Sequence, residues 1–255
     1  PHTPYSTRLA HAGHLAGKEI MLHAPMSNSG GMPLGPGGLT PTLSEAAFTR
    51  TLEEDIDAIP HVRGINNHMG SELTTMPQQM AWVMETLLRR ELYFVDSRTS
   101  PRTIAGKTAD QFAVPYLSRS VFLDNEATKD AIGRQFRALV RRAEHKGLAV
   151  GIGHPYAATA DYLKTALPGL RCRGIRLALV SEVLQESGDL PDTAAPPLDD
   201  YSPASEPDFN TVLGHISLGL GNRVLPEVED TGSENGIGST QGNTFYQMIQ
   251  VTHSP

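Results

Sequence analysis

The chain has 255 residues, 39% of them hydrophobic and 19% charged, enough for one large domain or two small ones with a substantial core. A formal net charge of −7 and only 6% aromatic residues speak against a nucleic-acid-binding surface, which needs an excess of Lys and Arg. The lone cysteine, Cys172, excludes an internal disulfide or a cysteine-built zinc site, and no apolar run approaches the ~20 residues that span a bilayer.

The chain opens at Pro1 with no signal-peptide pattern, so its start does not reveal a compartment. Residues 1–18 read as a loop entering a helix. His11 and His14 lie three apart on it and read as a solvated pair, since no third ligand follows nearby. Glu19–Leu22 is a short strand that delivers His23 and Pro25. Residues 27–42, rich in Gly and Pro, form a long connection of the kind that often covers a site. Ser44 caps a helix whose apolar stripe is Phe48, Leu52, Ile56 and Ile59.

The strand Val62–Ile65 then leads into Asn66-Asn67-His68-Met69-Gly70-Ser71, too polar for a core element and suited to a loop at a strand's carboxyl end. Pro77 opens the next helix, with Met80, Val83, Met84 and Leu87 buried. Leu92–Val95 is a strand ending in Asp96-Ser97-Arg98-Thr99, and residues 100–116 show no strong pattern. Val121–Leu123 runs into Asp124. A helix over about 127–146 ends at Gly147, and the strand Leu148–Ile152 ends in Gly153-His154-Pro155. A helix over 157–167 and a strand over 174–179 follow.

From residue 186 the texture becomes acidic and Pro-rich, then Gly/Ser-rich, which suits a largely disordered tail that folding does not need. Short strand-like pieces at 212–213, 216–220 and 245–251 could pair locally. The organisation expected is thus a domain over 1–185 and a tail over 186–255.

Short strands alternating with helices predict a largely parallel α/β sheet, in which the polar stretches gather at one mouth. His23, His68, Asp96, Asp124 and His154 would meet there. Two imidazoles and a carboxylate suit a borderline divalent metal, above all zinc, with one position left for water.

The runs HAPM, GINNHMGSELT, YFVDSRT, VFLDN and VGIGHP, in this order over residues 4–185, resemble the divergent polysaccharide deacetylase family, distant relatives of the NodB-type carbohydrate esterases. The resemblance implies a distorted (β/α) barrel with fewer than eight strands, a divalent metal, and removal of acetyl groups from a polysaccharide. It also implies the periplasm or envelope of a Gram-negative bacterium. Two departures stand out. Related esterases carry an Asp-Asp pair on an early strand, whereas no Asp precedes Asp55, as if the first one or two βα units were lacking. The second histidine of their metal-binding pair is replaced by Ser27.

On this reading His23 and His68 bind the metal, joined by a carboxylate from an absent strand or from Asp96. Asp96 or Asp124 serves as base towards water, and His154 protonates the leaving amine. Asn67 and Ser71 bind substrate or orient ligands, and Arg98 meets an anionic group on the glycan or pairs with Asp96. The competing reading is a non-catalytic glycan-binding envelope protein on the same scaffold, which the two departures favour.

Overall fold

Seventeen elements of a computed structural model, which describes residues 1–190 and 247–253, build two four-stranded sheets. The first takes β1 (Ile20–Met26), β2 (Val62–Met69), β3 (Tyr93–Asp96) and β4 (Tyr116–Ser118) side by side, every neighbour parallel. The second runs β5 (Val121–Phe122), β6 (Leu148–Gly153), β8 (Gln247–His253), β7 (Ile175–Ala178). Among the described strands only β8 is antiparallel to its neighbours, so fewer than eight of them run in the parallel sense. Together they form a partial, distorted (β/α) barrel.

Alternation along each strand decides what the sheet can bury. In β1, Leu22, Ala24 and Met26 face outward and join Ile65 and Phe94 from the next two strands. Against them pack Phe48, Leu52 and Ile56 of α2 (Glu45–Asp57) and Met80, Val83, Met84 and Leu87 of α3 (Pro77–Arg89). Each such side chain contributes about 1.5–3 kcal/mol of burial. On the inner face Met21, Tyr93, Val95 and Leu117 are covered by Val180 and Leu184 of α7 (Val180–Glu186). The second sheet packs Val121, Leu123 and Ala149 on Phe136, Leu139, Val140 and Ala143 of α5 (Lys129–Lys146) and on Leu163 of α6 (Ala157–Ala166).

The caps behave as the residues dictate. Ser44 Oγ accepts from the Ala47 N–H, and Pro77 stands in the first turn of α3. Gly147, at φ 78°, ends α5 in the left-handed conformation that glycine adopts without strain.

Several expectations need correction. β1 and β2 run four residues longer than their apolar runs, because the parallel pairing continues as far as Met26 against Met69. The Asn-Asn-His run is therefore strand. The patternless 100–116 stretch contains α4 (Ala105–Phe112) and the first residue of β4; α4 is short and buries mainly the small side chains Ala105, Thr108 and Ala109. The tail supplies β8 between β6 and β7, whereas the pieces at 212–213 and 216–220 lie outside the described residues. Finally, His11 and His14 of α1 (Ser6–Leu15) meet His61, at the turn before β2. His11 Nδ1 lies 2.9 Å from His61 Nε2, and the His14 and His61 rings stack at 3.9 Å.

The two sheets join along two different edges. On one, the chain itself crosses from β4 to β5: Arg119 N–H donates to the Asp96 carbonyl in the first sheet, and Ser120 N–H to that of Val150 in the second. On the other, the Glu19 carboxylate accepts the N–H groups of Val180 and Ser181, tying the start of β1 to the start of α7.

Asp55 on α2 is fully buried. One carboxylate oxygen lies 2.6 Å from His2 Nε2, while the other has no hydrogen-bond partner among the described residues. Burial pushes its pKa from 3.8 up to about 6, against the pull of His2 and of the amino terminus. A raised carboxylate favours folding while protonated, and that contribution is lost as pH rises through about 6. Asp55→Asn should therefore match the parent near pH 4. Above pH 7 it should gain on the order of 3 kcal/mol at most, seen as a higher melting temperature. A pH-independent difference between the two proteins would contradict this.

Candidate active site

The alternation that sends Leu22 and Ala24 outward sends His23 inward, directly opposite Asn66 in register, with His68 two residues further along β2. His23 Nδ1 lies 2.9 Å from Asn66 Oδ1, so the ring donates there and turns Nε2 towards His68 Nδ1, 3.0 Å away. The imidazole planes meet at 67°. Burial first, then the neighbouring His68, hold the His23 pKa well below its ordinary value. Burial and the proximity of His154 lower that of His68. Both rings are therefore neutral at pH 7, the form in which imidazole binds metals.

The second sheet provides the other half. Asp124, following β5, is 3% exposed and accepts three hydrogen bonds: His154 N–H at 2.6 Å, Thr159 Oγ1 at 2.8 Å and His154 Nδ1 at 2.9 Å. The last of these fixes the imidazole with Nε2 pointing away from the carboxylate. Gly153 stands in the strand rather than in a turn, and its use is spatial. A Cβ there would crowd Asp124 Oδ2 at 3.2 Å. His154 follows the carboxyl end of β6, and its charge disfavours protonation of both His23 and His68.

The remaining candidates have different surroundings. Asp96 is 2% exposed, and its oxygens accept from Arg98 N–H at 2.8 Å and Thr103 Oγ1 at 3.1 Å. Burial raises its pKa, with those two donors opposing. Asn67 is 1% exposed because strand alternation turns it to the outer face. There it takes the Ser97 N–H at 2.8 Å and donates to the Met69 carbonyl at 2.7 Å, so it pins loops together. Ser71 lies beside Ser29, whose N–H it accepts at 3.1 Å. Arg98 is exposed near Asp96. Ser27 keeps a buried hydroxyl without a partner among the described residues.

Some functional groups escaped the sequence. Asn66, which orients His23 and also donates to Ser97 Oγ at 3.2 Å, stood in plain view within the Asn-Asn-His run. Thr159 and Arg119 carried no signal, because each acts through a contact far away in sequence.

Two ligand nitrogens held at ~2.0–2.1 Å from one tetrahedral ion stand about 3.3 Å apart. The 3.0 Å between His23 and His68 is close to that, and two neutral imidazoles are the donors zinc prefers. The pair fits a divalent metal. Among the described residues no third His, Cys, Asp or Glu joins them in a group able to hold one, so Asp96 does not complete the set.

The chain is 34% identical to the uncharacterized protein YibQ of Escherichia coli (strain K12) over 197 residues, covering 77% of the chain and 61% of that protein. It is also 34% identical, over 170 residues, to an uncharacterized protein of Haemophilus influenzae Rd, covering 67% of the chain and 61% of the relative. It thus spans about three fifths of the length of each. The crystal structure of an uncharacterized protein from Agrobacterium tumefaciens C58 shares the fold, with a TM-score of 0.69 at 24% identity over 71% of this chain and 75% of that one. With the profile of the divergent polysaccharide deacetylases matching residues 1–184, the chain belongs to that family.

Proposed function

We propose that the chain is a metal-dependent deacetylase domain that hydrolyses N-acetyl or O-acetyl groups on an envelope polysaccharide. The observation that carries this reading is a close imidazole pair on one sheet together with an oriented His–Asp pair on the other. His23 Nε2 and His68 Nδ1 would hold the ion, zinc by donor type. When bound, it supplies a Lewis acid for the acetyl carbonyl and makes water nucleophilic near neutral pH.

The protein's own groups supply the rest. Asn66 keeps His23 in the tautomer that leaves Nε2 unprotonated. Asp124 holds His154 so that Nε2 can take a proton from the attacking water and pass it to the departing amine. We assign Asp96 to the turn after β3, since both its oxygens are engaged there. The setting proposed is the periplasm or cell envelope of a Gram-negative bacterium. Among the described residues no helix is long and apolar enough to cross a membrane.

The second reading, a glycan-binding protein without turnover, is favoured by the two-histidine donor set among the described residues. Metal analysis and acetate release from N-acetylated oligosaccharides separate the two. The deacetylase should hold about one zinc per chain, lose acetate release to a chelator and regain it with zinc. His23→Ala and His68→Ala should each empty the site while the circular dichroism stays unchanged. Glycan binding without metal or acetate would move the protein to the second reading.

A further inference from the structure

From Arg119 to Tyr156 runs a row of flat groups that includes His154. The Arg119 guanidinium lies over the Phe122 ring at 5.0 Å, and Phe122 meets His154 at 5.4 Å. His154 stacks on Tyr156 at 5.0 Å and 27°, and Tyr156 is 46% exposed. The exposed aromatic face of Tyr156, edged by hydrogen-bonding groups, suits the CH-rich face of a sugar ring.

At the Arg119 end the backbone of Arg98 is held at φ 49°, the left-handed region that glycine takes without strain. Two charged residues hold it there. Arg98 N–H donates to Asp96, and Arg119 donates from Nη2 to the Arg98 carbonyl at 2.9 Å and from Nε to that of Ser97 at 2.5 Å. The turn alone would be better served by glycine. What arginine adds is an exposed guanidinium at the mouth, which forms no ion pair among the described residues. Burial first, and then the nearby Arg98 charge, lower the Arg119 pKa, with Asp96 opposing. Asp96, buried at the same turn, lies near both arginines, and the exposed Arg98 guanidinium is the group there that can meet an anion from solvent.

We propose that this ledge is the sugar-binding subsite beside the hydrolytic centre, and that Arg98 makes it select a sugar bearing a carboxylate or phosphate. The inference rests on the reading of the chain as one that acts on polysaccharide. It narrows the substrate to an anionic, acetylated glycan.

Calorimetric binding tests it without requiring turnover. The probes are a neutral N-acetylglucosamine oligomer, an oligomer alternating N-acetylglucosamine with glucuronate, and an N-acetylhexosamine oligomer linked through phosphodiesters. At low salt the full chain should bind at least one anionic probe about tenfold or more tighter than the neutral one, and the gap should shrink as salt rises. Which anionic probe wins identifies the carboxylate or the phosphate. Arg98→Gly relieves the backbone, so its melting temperature should hold or rise while the preference disappears. Tyr156→Ala should weaken all bound probes alike. Equal binding of neutral and anionic probes, binding of none, a preference that survives Arg98→Gly, or a lower melting temperature in that variant would each overturn the proposal. Tight anionic binding without acetate release would leave it standing while removing the proposed hydrolysis.

Discussion

His154→Ala in the full chain should lower kcat towards N-acetyl substrates by ~10²–10⁴-fold, the range for one acid–base group. The ring is positioned for this by three donors converging on Asp124, one of them its own backbone N–H, and by the missing side chain at Gly153. An amine leaves poorly unless protonated, so the loss should fall on amides. An activated aryl acetate, whose leaving group needs little protonation, should keep most of its rate. Metal content should not change, because His23 and His68 stand on the other sheet. Loss of metal in the variant would make His154 a ligand, and an unchanged amide rate would make the Gly-His-Pro segment purely structural.

Deleting residues 247–255 should destabilise the domain severely. β8 faces six residues of β6, from Leu148 to Gly153, and four of β7, from Ile175 to Ala178. Without it neither strand keeps its partner on that side. At about 1 kcal/mol net for each lost backbone hydrogen bond, the cost reaches several kcal/mol. Whole domains are stable by only about 5–15 kcal/mol. At ~2–4 °C per kcal/mol for a chain of this size, the melting temperature should drop by about 10 °C or more. Aggregation through the bared strand edges should accompany it. Gln250→Pro tests the same pairing without shortening the chain. Gln250 stands opposite Val150 on one side and Ala178 on the other, and proline cannot donate to a ladder. Melting within about 2 °C of the parent for both variants would mean that β8 adds nothing.

That second result runs against what the sequence suggests, for a physical reason. Composition after residue 186 reads as a solvated tail, but the pairing of Gln247–His253 is a non-local event between backbones and leaves no mark in composition. Period and caps, by contrast, are local, so α2, α3 and α5 were legible almost to the residue. α4 was not, because it packs with alanine and threonine instead of a stripe of large side chains. The site was half legible. His23, His68 and His154 stood out as polar residues at the ends of apolar runs. That Asn67 turns outward while Asn66 meets His23 depends on β2 continuing past Ile65, and the polar run concealed that.

The two edges at which the sheets join have a mechanical consequence. One is covalent, at Arg119 and Ser120, and the other rests on Glu19 and a few side chains packed under α7. Local opening should therefore begin at the Glu19 edge, short of global unfolding, with early hydrogen exchange at the Val180 and Ser181 amides as its measure. The imidazole pair rides on one leaf and the His154–Asp124 pair on the other. A small opening at the Glu19 edge should therefore change the distance between the two pairs more than any distance within either pair.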